Sequence, residues 1–281
     1  MGLKDIKLRM TAIKKTAAIT QAMHNIALSK IKKSTELLNH SVHFVTKIHD
    51  ILMYSDQNTD EAQRITSVNE GKTKLYVLVT SDRGLAGSYH NQLFKAFLEE
   101  TKDLPKESYR VLVLGKKGYY FALKRKLPVI NEEIIYNRDD VATMYFRHYA
   151  KMIKEVFLDK MVDEVILYHN HYVNTATQIV KKETILPVVF DKKKMKTKEQ
   201  FIYDVSPEVI LNQTVDIYIE SSIFKALSDA KLSEHAARMV AMRSATDNAN
   251  DIVDRLHTLY HRARQQEITS ELIDVVNGSN V

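Results

Sequence analysis

Residues 3–52, LKDIKLRMTAIKKTAAITQAMHNIALSKIKKSTELLNHSVHFVTKIHDIL, contain neither glycine nor proline. The glycine- and proline-free run continues to Glu70, and a second one occupies residues 208–277. Glycine destabilises a helix interior by about 1 kcal/mol and proline by about 3 kcal/mol relative to alanine. Both runs therefore predict long uninterrupted helices. Fifty helical residues extend roughly 75 Å, and a helix of that length gains burial only from a partner, so the two ends are predicted to pack together.

A heptad-like spacing supports this pairing. In the first run, a 3–4 alternating series of fifteen positions from Leu3 to Leu52 holds eleven apolar residues and four polar ones. Such spacing is typical of a coiled-coil seam. The second run has an apolar stripe at the same spacing, after which the register shifts as a stutter would shift it. The stripe is Met242, Ala245, Ala249, Ile252, Leu256, Leu259 and Ala263, followed by Ile268, Leu272 and Val275.

The segment between the two helical runs has a different pattern. Short apolar runs at residues 75–80, 111–114 and 164–168 alternate with helical patterns, and a further extended piece lies near 177–180. Strands that alternate with helices indicate a parallel α/β sheet. The predicted fold is thus α/β: a long antiparallel coiled coil of the N- and C-terminal helices plus a central Rossmann-like parallel α/β domain. The predicted domains are an N-terminal helix at 1–70, a central domain at 71–205 and a C-terminal helix at 206–281.

Composition and charge limit the classes of function. The chain has 281 residues, a net charge of +6 and no cysteine, so disulfides, thiol catalysis and thiolate metal sites are excluded. No run of about eighteen apolar residues predicts a membrane span, and the charged start at residues 1–7 does not fit a signal peptide. Residues 1–56 hold nine basic against four acidic side chains. A basic helix suits nucleic acid, an acidic membrane surface or an acidic protein wall.

No motif predicts chemistry. The glycine turns at 82–87 and 115–118 lack the spacing of a dinucleotide fingerprint or a P-loop. His257 and His261 stand four apart, and His169 and His171 share one face of a strand, but no third ligand accompanies either pair. Solvated histidines are the simpler interpretation of both pairs. A nucleophile elbow is missing as well, and we expect neither a cofactor nor a metal.

Several segments resemble the gamma subunit of the F-type ATP synthase, and the order of elements agrees over essentially the whole chain. The strongest resemblance lies near the C-terminus, where about forty residues carry specific motifs. One departure is GSYH at 87–90, where that family usually has a Gly-Gly-Tyr-Asn run. The matching segments are LKDIK at 3–7, ITQAM at 19–23, TSDRGL at 80–85, SEHAARMVAM at 233–242, ATDNA at 245–249, ARQ at 263–265 and IT at 268–269.

The resemblance implies a non-catalytic central shaft. In that family the coiled coil turns inside a ring of three alpha and three beta subunits, and the α/β domain holds the epsilon subunit and the membrane rotor ring. The implied location is the cytoplasmic face of the cell membrane, as a peripheral subunit of a bacterial-type, ion-transporting (proton-linked) complex for ATP synthesis. The resemblance implies no contact with nucleic acid. The residues that it implies for binding the beta subunit are Arg264, Gln265 and Thr269, with Arg238, Glu271 and Met23 as further candidates.

Other functions are kept as alternatives. A gamma-like shaft of a paralogous motor would share these motifs, and a generic coiled-coil scaffold would show no preference for a hexameric ATPase. A nucleic-acid binder predicts steeply salt-dependent affinity, but basic and aromatic residues do not interleave on one face. A nucleotide-binding enzyme would bind ATP as an isolated chain, which calorimetry can test.

Overall fold

The computed structural model describes residues 2–54, 64–66, 73–137, 144–188 and 207–278. Both predicted long helices are confirmed, as is the strand-containing segment between them. The predicted domain boundaries at 70/71 and 205/206 lie outside the described residues. The elements, in chain order, are α1 (Leu3–Tyr54), β1 (Lys74–Val79), α2 (Tyr89–Thr101), a 3-10 turn (Lys106–Ser108), β2 (Tyr109–Leu114), α3 (Lys116–Lys124), α4 (Met144–Leu158), β3 (Glu164–Tyr172), β4 (Gln178–Leu186) and α5 (Pro207–Gly278).

The chain divides into two compact units. The helical unit joins Met1–Ser29 with Arg238–Val281, and the sheet unit is Lys30–Ala237. Helices α1 and α5 each contribute residues to both units. Among the described residues, no helix combines the length and the apolar character that crossing a membrane demands.

In the helical unit, α1 and α5 run antiparallel. The Oγ1 atoms of Thr20 and Thr246 lie 2.7 Å apart, and His24 Nδ1 donates to the carbonyl of Met239 at 3.0 Å. Moving along α1 from Thr20 to His24 therefore corresponds to moving along α5 from Thr246 back to Met239. The predicted antiparallel pairing is confirmed.

The predicted seam of α1 is confirmed as well. All fifteen positions of the series from Leu3 to Leu52 are buried or half-buried. In the helical unit, Ala17 and Ala27 are 8% and 2% exposed. Alanine at these positions lets the facing helix approach closely, because it presents only a methyl group to the seam.

The predicted stripe of α5 is wrong at two positions. Ile252 and Leu259 are 40% and 49% exposed, whereas the neighbouring Val253 and Tyr260 are half-buried. From Met242 the inward series alternates by four and three residues, because Thr246 faces Thr20 in the seam. The facing helix, rather than the larger side chain, decides which of two adjacent apolar lines is buried. The inward residues are Met242, Thr246, Ala249, Val253, Leu256, Tyr260 and Ala263.

The sheet unit contains a mixed four-stranded sheet in the order β2-β1-β3-β4. Strand β1 is parallel to β2 and to β3, as predicted, but β4 is antiparallel to β3. The prediction of an entirely parallel sheet is therefore wrong at this edge. A parallel connection needs a crossover of a dozen residues or more, and β3 and β4 are joined only by residues 173–177. The Asn174 side chain closes this turn by accepting the N–H groups of Ala176 and Thr177 at 2.9 and 2.8 Å.

Strands β1, β2 and β3 are buried on both faces over most of their length, as expected for parallel strands that are covered by helices, whereas most of β4 is half-buried or exposed. Because strand side chains alternate between faces, each strand contributes to two cores. Helices α4 and α5 cover one face, and α2 and α3 cover the other. The first core includes Leu75, Val77, Leu112, Val165, Leu167, Phe157 and Ile219; the second includes Tyr76, Leu78, Val113, Ile166, Leu93, Phe97 and Ala122.

Replacing Gly118 in α3 by alanine should destabilise the sheet unit. A Cβ at this position would lie 2.6 Å from Thr80 Cγ2 and 2.8 Å from Val113 Cγ1. Overpacking of this kind costs about 1–3 kcal/mol, although alanine is otherwise the better helix former. Urea unfolding of Gly118→Ala measures the loss.

The matched control is Gly84→Ala. The nearest atoms to a Cβ there belong to the flexible Lys117 side chain at 3.7 Å, so the free energy of unfolding should change by less than about 0.5 kcal/mol. Equal stability of the two variants would contradict the close packing of Gly118 against Thr80 and Val113.

Candidate partner-binding surface

The six residues that the resemblance implies for binding the beta subunit fall into two groups, both in the helical unit. Met23 and Arg238 form the inner group, and Arg264, Gln265, Thr269 and Glu271 form the outer group near the end of α5. At 1.5 Å per residue, Arg238 and Arg264 are about 39 Å apart along the helix axis. Any partner that contacts both groups must follow α5 over that length.

The inner group lies where α1 and α5 are hydrogen-bonded. The bond from His24 to the Met239 carbonyl brings together the helix turns that carry Met23 and Arg238. Met23 is half-buried, and Arg238 is 9% exposed, so most of its surface is covered by this chain. Their predicted role in binding the beta subunit stays a prediction.

The outer group lies on a part of α5 that extends past the start of α1. Since Thr20 lies opposite Thr246, Leu3, seventeen residues earlier, comes opposite residue 263, seventeen residues later. Residues 264–278, which we call the α5 overhang, have no residue of α1 opposite them, and every side chain from 264 to 275 is exposed. The shifted stripe predicted for Ile268, Leu272 and Val275 is therefore wrong as a seam; they are 44%, 61% and 68% exposed.

The overhang presents different chemistry on its different sides. At 3.6 residues per turn, Arg264 and Glu271 share one side with the apolar Ile268 and Val275. Gln265 and Thr269 lie on another side, together with Arg262, Gln266, Ser270 and Ile273. The Thr269 hydroxyl donates to the Gln265 carbonyl at 2.8 Å. Its oxygen can still accept a hydrogen bond from a partner, because the residue is exposed. A partner on the first side thus meets two opposite charges and hydrocarbon, and a partner on the second side meets mainly amides and hydroxyls, beside Arg262 and Ile273.

The carboxyl edge of the sheet is filled by the chain itself rather than shaped for a nucleotide. Asp82 Oδ1 accepts the N–H of Lys116 at 2.9 Å, and Thr80 Oγ1 accepts the N–H of Gly118 at 3.0 Å. These are amides of the α3 N-terminus, where a phosphate would otherwise bind. Gly115 has φ +99°, and a Cβ there would lie 2.5 Å from the Thr80 carbonyl. The glycines therefore serve close packing of α3 against the end of β1.

Both histidine pairs were predicted to be solvated, and the prediction holds for one pair. His257 and His261 are exposed, as predicted. His169, however, is 1% exposed, and both His169 and His171 are hydrogen-bonded to Asp229, so the prediction of solvated histidines is wrong for this pair. Within the residues that the structure describes, no group of three or more His, Cys, Asp or Glu side chains is arranged to hold a metal.

Sequence reasoning did not find Asp229. Its helical neighbours Ala226 and Ala230 are buried, but the polar Lys225 and Ser233 share its side of the helix, so the sequence offered no distinct signal for it. Asp229 and the two histidines come from segments about sixty residues apart, and only the fold brings them together.

Comparison with known proteins agrees with this architecture. The structure is similar to a chain of the mitochondrial ATP synthase central stalk and c-ring of Tetrahymena thermophila, with 26% identity, 81% of this chain and 99% of that chain covered, and a TM-score of 0.62. Two chains of the Euglena gracilis mitochondrial ATP synthase share the fold. The one from the rotor has 18% identity, coverage of 95% and 98%, and a TM-score of 0.66; the one from the OSCP/F1/c-ring assembly has 17%, 99% and 93%, and 0.68.

The family model of the ATP synthase family matches residues 2–281. That match spans the two long helices and the mixed sheet, and it includes every residue that the resemblance implies for partner binding. The chain belongs to the gamma-subunit family of the F-type ATP synthase, whose members form the central shaft of the complex.

Proposed function

We propose that this gamma-type shaft turns inside a ring of alpha and beta subunits and thereby changes the state of catalytic sites that belong to beta. The chain performs no chemistry of its own in this proposal. Its contribution is mechanical: ion-driven rotation on one side of the complex is converted into conformational change on the other. Membership of the gamma-subunit family supports this role.

The observation that carries the proposal is the α5 overhang. A shaft can bias several identical sites differently only if it makes different contacts with each, because a ligand shifts a conformational equilibrium only through its differential affinity for the states. The overhang has an Arg264/Glu271 side and a Gln265/Thr269 side, both exposed. Each turn of the shaft would present these sides to the beta subunits in succession.

The six residues then have distinct roles. Arg264 pairs with a carboxylate of a beta subunit, because its planar guanidinium offers two parallel donors. Gln265 and Thr269 hydrogen-bond to a beta subunit from the neighbouring side of the helix. Glu271 extends the charged side. The inner residues Met23 and Arg238 add a second contact where α1 and α5 are hydrogen-bonded.

The remaining partners follow from the rest of the chain. The segment 71–205 acts as a foot that holds the epsilon subunit and the membrane rotor ring, and this makes the chain a peripheral subunit at the cytoplasmic face of a membrane. Proton transport belongs to the ring. The similar T. thermophila chain comes from a central stalk and c-ring assembly, which supports the contact with a ring.

Arg264→Ala should lower coupled turnover of the assembled complex. Loss of one partner of a buried, hydrogen-bonded charge pair at an interface costs about 2–5 kcal/mol, whereas the exposed helix itself should stay folded. ATP hydrolysis and ATP-driven proton pumping by reconstituted complexes are the measurement, with circular dichroism to verify helicity.

Arg255→Ala is the matched control. Arg255 is also an exposed arginine of α5, but it lies before the overhang, where α1 is still opposite. The control should retain the parent rates. Equal hydrolysis and pumping in Arg264→Ala and the parent would remove Arg264 from the contact surface.

A further inference from the structure

A row of polar side chains on α5 faces the sheet within the sheet unit. Lys225, Asp229 and Ser233 are spaced four residues apart and thus lie on one side of the helix. Lys225 Nζ lies 2.5 Å from Glu183 Oε1 on β4, and Ser233 Oγ donates to the Asn170 carbonyl on β3 at 3.0 Å. Three successive turns of α5 are therefore each bonded to a strand, with Asp229 in the middle.

Asp229 makes the densest of these contacts. Its Oδ2 accepts from His171 Nδ1 at 2.6 Å and from His169 Nε2 at 3.3 Å, and its Oδ1 accepts the N–H of Tyr172 at 2.9 Å. Burial favours the neutral carboxyl, but the hydrogen bonds from His169, the Tyr172 amide and His171 together hold the pKa of Asp229 below its ordinary value. The group is a carboxylate at neutral pH. We call Asp229, His169 and His171 the clasp.

Two further bonds hold the same part of α5. The Tyr89 hydroxyl, at the start of α2, donates to the Ala230 carbonyl at 3.0 Å. Lys231 Nζ donates to the carbonyl of Asn137. Residues 225–233 of α5 are thus bonded to β3, β4, α2 and the segment after α3. The described contacts surround one short part of the helix.

The apolar part of this contact cannot by itself fix the helix. Ile219, Ile223 and Ala226 pack on the core side of the sheet, and burial of such surface is non-directional, so it resists separation more than sliding or rolling. Hydrogen bonds have narrow limits of distance and angle, so rotation of α5 about its own axis breaks them. The hydrogen bonds of residues 225–233 therefore add a resistance to rotation of α5 against the sheet.

The clasp also carries a cost that simple stability would not require. Asp229 is 5% exposed and His169 is 1% exposed, and His169 Nδ1 has no hydrogen-bond partner among the described residues. Well-packed apolar residues often replace buried ionic groups without loss of stability, whereas buried polar groups can fix one arrangement. A contact between strand and helix that must resist a turning force needs groups that fix its register in this way.

We infer that Asp229 is a positioning residue that locks the rotational register of α5 on β3 through His169 and His171, so that torque applied to the sheet reaches the shaft helix. The inference rests on the proposed function, because only a rotating shaft transmits torque. In an assembly where the sheet unit is driven by a ring, loss of the clasp lets α5 slip while the beta subunits continue to hydrolyse ATP.

The test compares Asp229→Leu with Ser228→Ala in the complete membrane complex. Leucine has no acceptor, so it removes the three contacts of Asp229, and its side chain is the larger of the two. Ser228 is buried on the same helix as well, but the bond that its hydroxyl makes among the described residues goes to the Phe224 carbonyl of its own helix. Protons pumped per ATP hydrolysed should fall several-fold in Asp229→Leu and stay at the parent value in Ser228→Ala. Both values are normalised to assembled complex.

A cross-linked variant separates slipping from misfolding. The chain has no cysteine of its own, so His171→Cys/Asp229→Cys can be joined selectively with methylene bis-methanethiosulfonate, a short linker that is reducible at both of its disulfides and suits side chains in direct contact. The cross-linked complex should pump with the parent ratio, and reduction of the linker should lower the ratio in the same preparation. A variant that merely misfolds would not regain coupling through one covalent link.

The outcomes distinguish this inference from the function on which it rests. If the parent chain does not assemble with alpha and beta subunits, the proposed function fails. If the parent complex is coupled and Asp229→Leu shows the same ratio of protons to ATP, only the inference is overturned. An unchanged ratio after reduction of the linker would overturn it as well.

Discussion

Thr20→Cys/Thr246→Cys is expected to form a disulfide that raises the free energy of unfolding without impairing the shaft. The two hydroxyl oxygens lie 2.7 Å apart and their residues are 226 positions apart, and no other thiol competes. In the chain-entropy description, closing a loop longer than 100 residues stabilises by about 4–5 kcal/mol. Urea unfolding with and without reductant measures the difference.

The control for this variant is Thr11→Cys/Thr246→Cys. Thr11 is exposed and bonds to the Lys7 carbonyl of its own helix, and it lies nine residues before Thr20, so the pair should stay reduced. Because α1 and α5 turn as one body, the Thr20/Thr246 disulfide should leave ATP hydrolysis by the assembled complex unchanged. Loss of hydrolysis on oxidation, restored by reductant, would mean that the two helices must move past each other.

Phe157→Ala is expected to cause the largest loss of stability in the sheet unit. Phe157 is fully buried in the core between the sheet, α4 and α5, and the guanidinium carbon of Arg64 lies 5.0 Å from its ring centroid. Truncation leaves a cavity and removes this cation–π contact, and Phe→Ala in a core costs about 3–5 kcal/mol. Chemical denaturation of the purified chain gives the value.

Phe44→Ala provides the comparison, since Phe44 is 52% exposed on α1. Its removal should change the free energy of unfolding by less than about 0.5 kcal/mol. A loss in Phe157→Ala as small as that in Phe44→Ala would be incompatible with the packing described for α4.

The sequence predicts α1 better than α5, and the reason is physical. In α1 the 3–4 series of mostly apolar residues coincides with the buried face, and apolar residues outside the series, such as Leu8, Ile19 and Ile26, are exposed. In α5, Ile252 and Leu259 lie beside Val253 and Tyr260, so two adjacent lines are apolar. Which of these two lines is buried depends on the side chains of α1 that face it, and these include the polar Thr20. The local sequence of α5 contains no information about those side chains.

The sheet shows the same limit at one edge. Strands β1, β2 and β3 follow from apolar runs separated by helices. Strand β4 has the polar sequence QIVKKETIL, and its direction depends on the five-residue turn around Asn174. A turn of five residues is too short for a parallel connection, so it already indicated an antiparallel strand. The general pattern of alternating strands and helices pointed to a parallel one.

The candidate site was predictable only in part. The resemblance supplied Arg264, Gln265, Thr269 and Glu271, but their exposure follows from where α1 begins relative to α5, which is a property of the pairing register. The clasp could not be predicted, because Asp229 contacts His169 and His171 only when α5 is packed on β3. A single residue that belongs to no motif is recognised only from its tertiary contacts.

The claim that this chain is a rotating shaft is tested most directly by watching it turn. A single cysteine at the exposed Lys102 position, Lys102→Cys, gives a unique attachment point for a probe, because the chain has no other thiol. With alpha and beta subunits fixed to a surface, the probe should rotate in one direction when ATP is supplied and stop when ATP is removed. A probe that stays still on complexes that hydrolyse ATP would contradict the account.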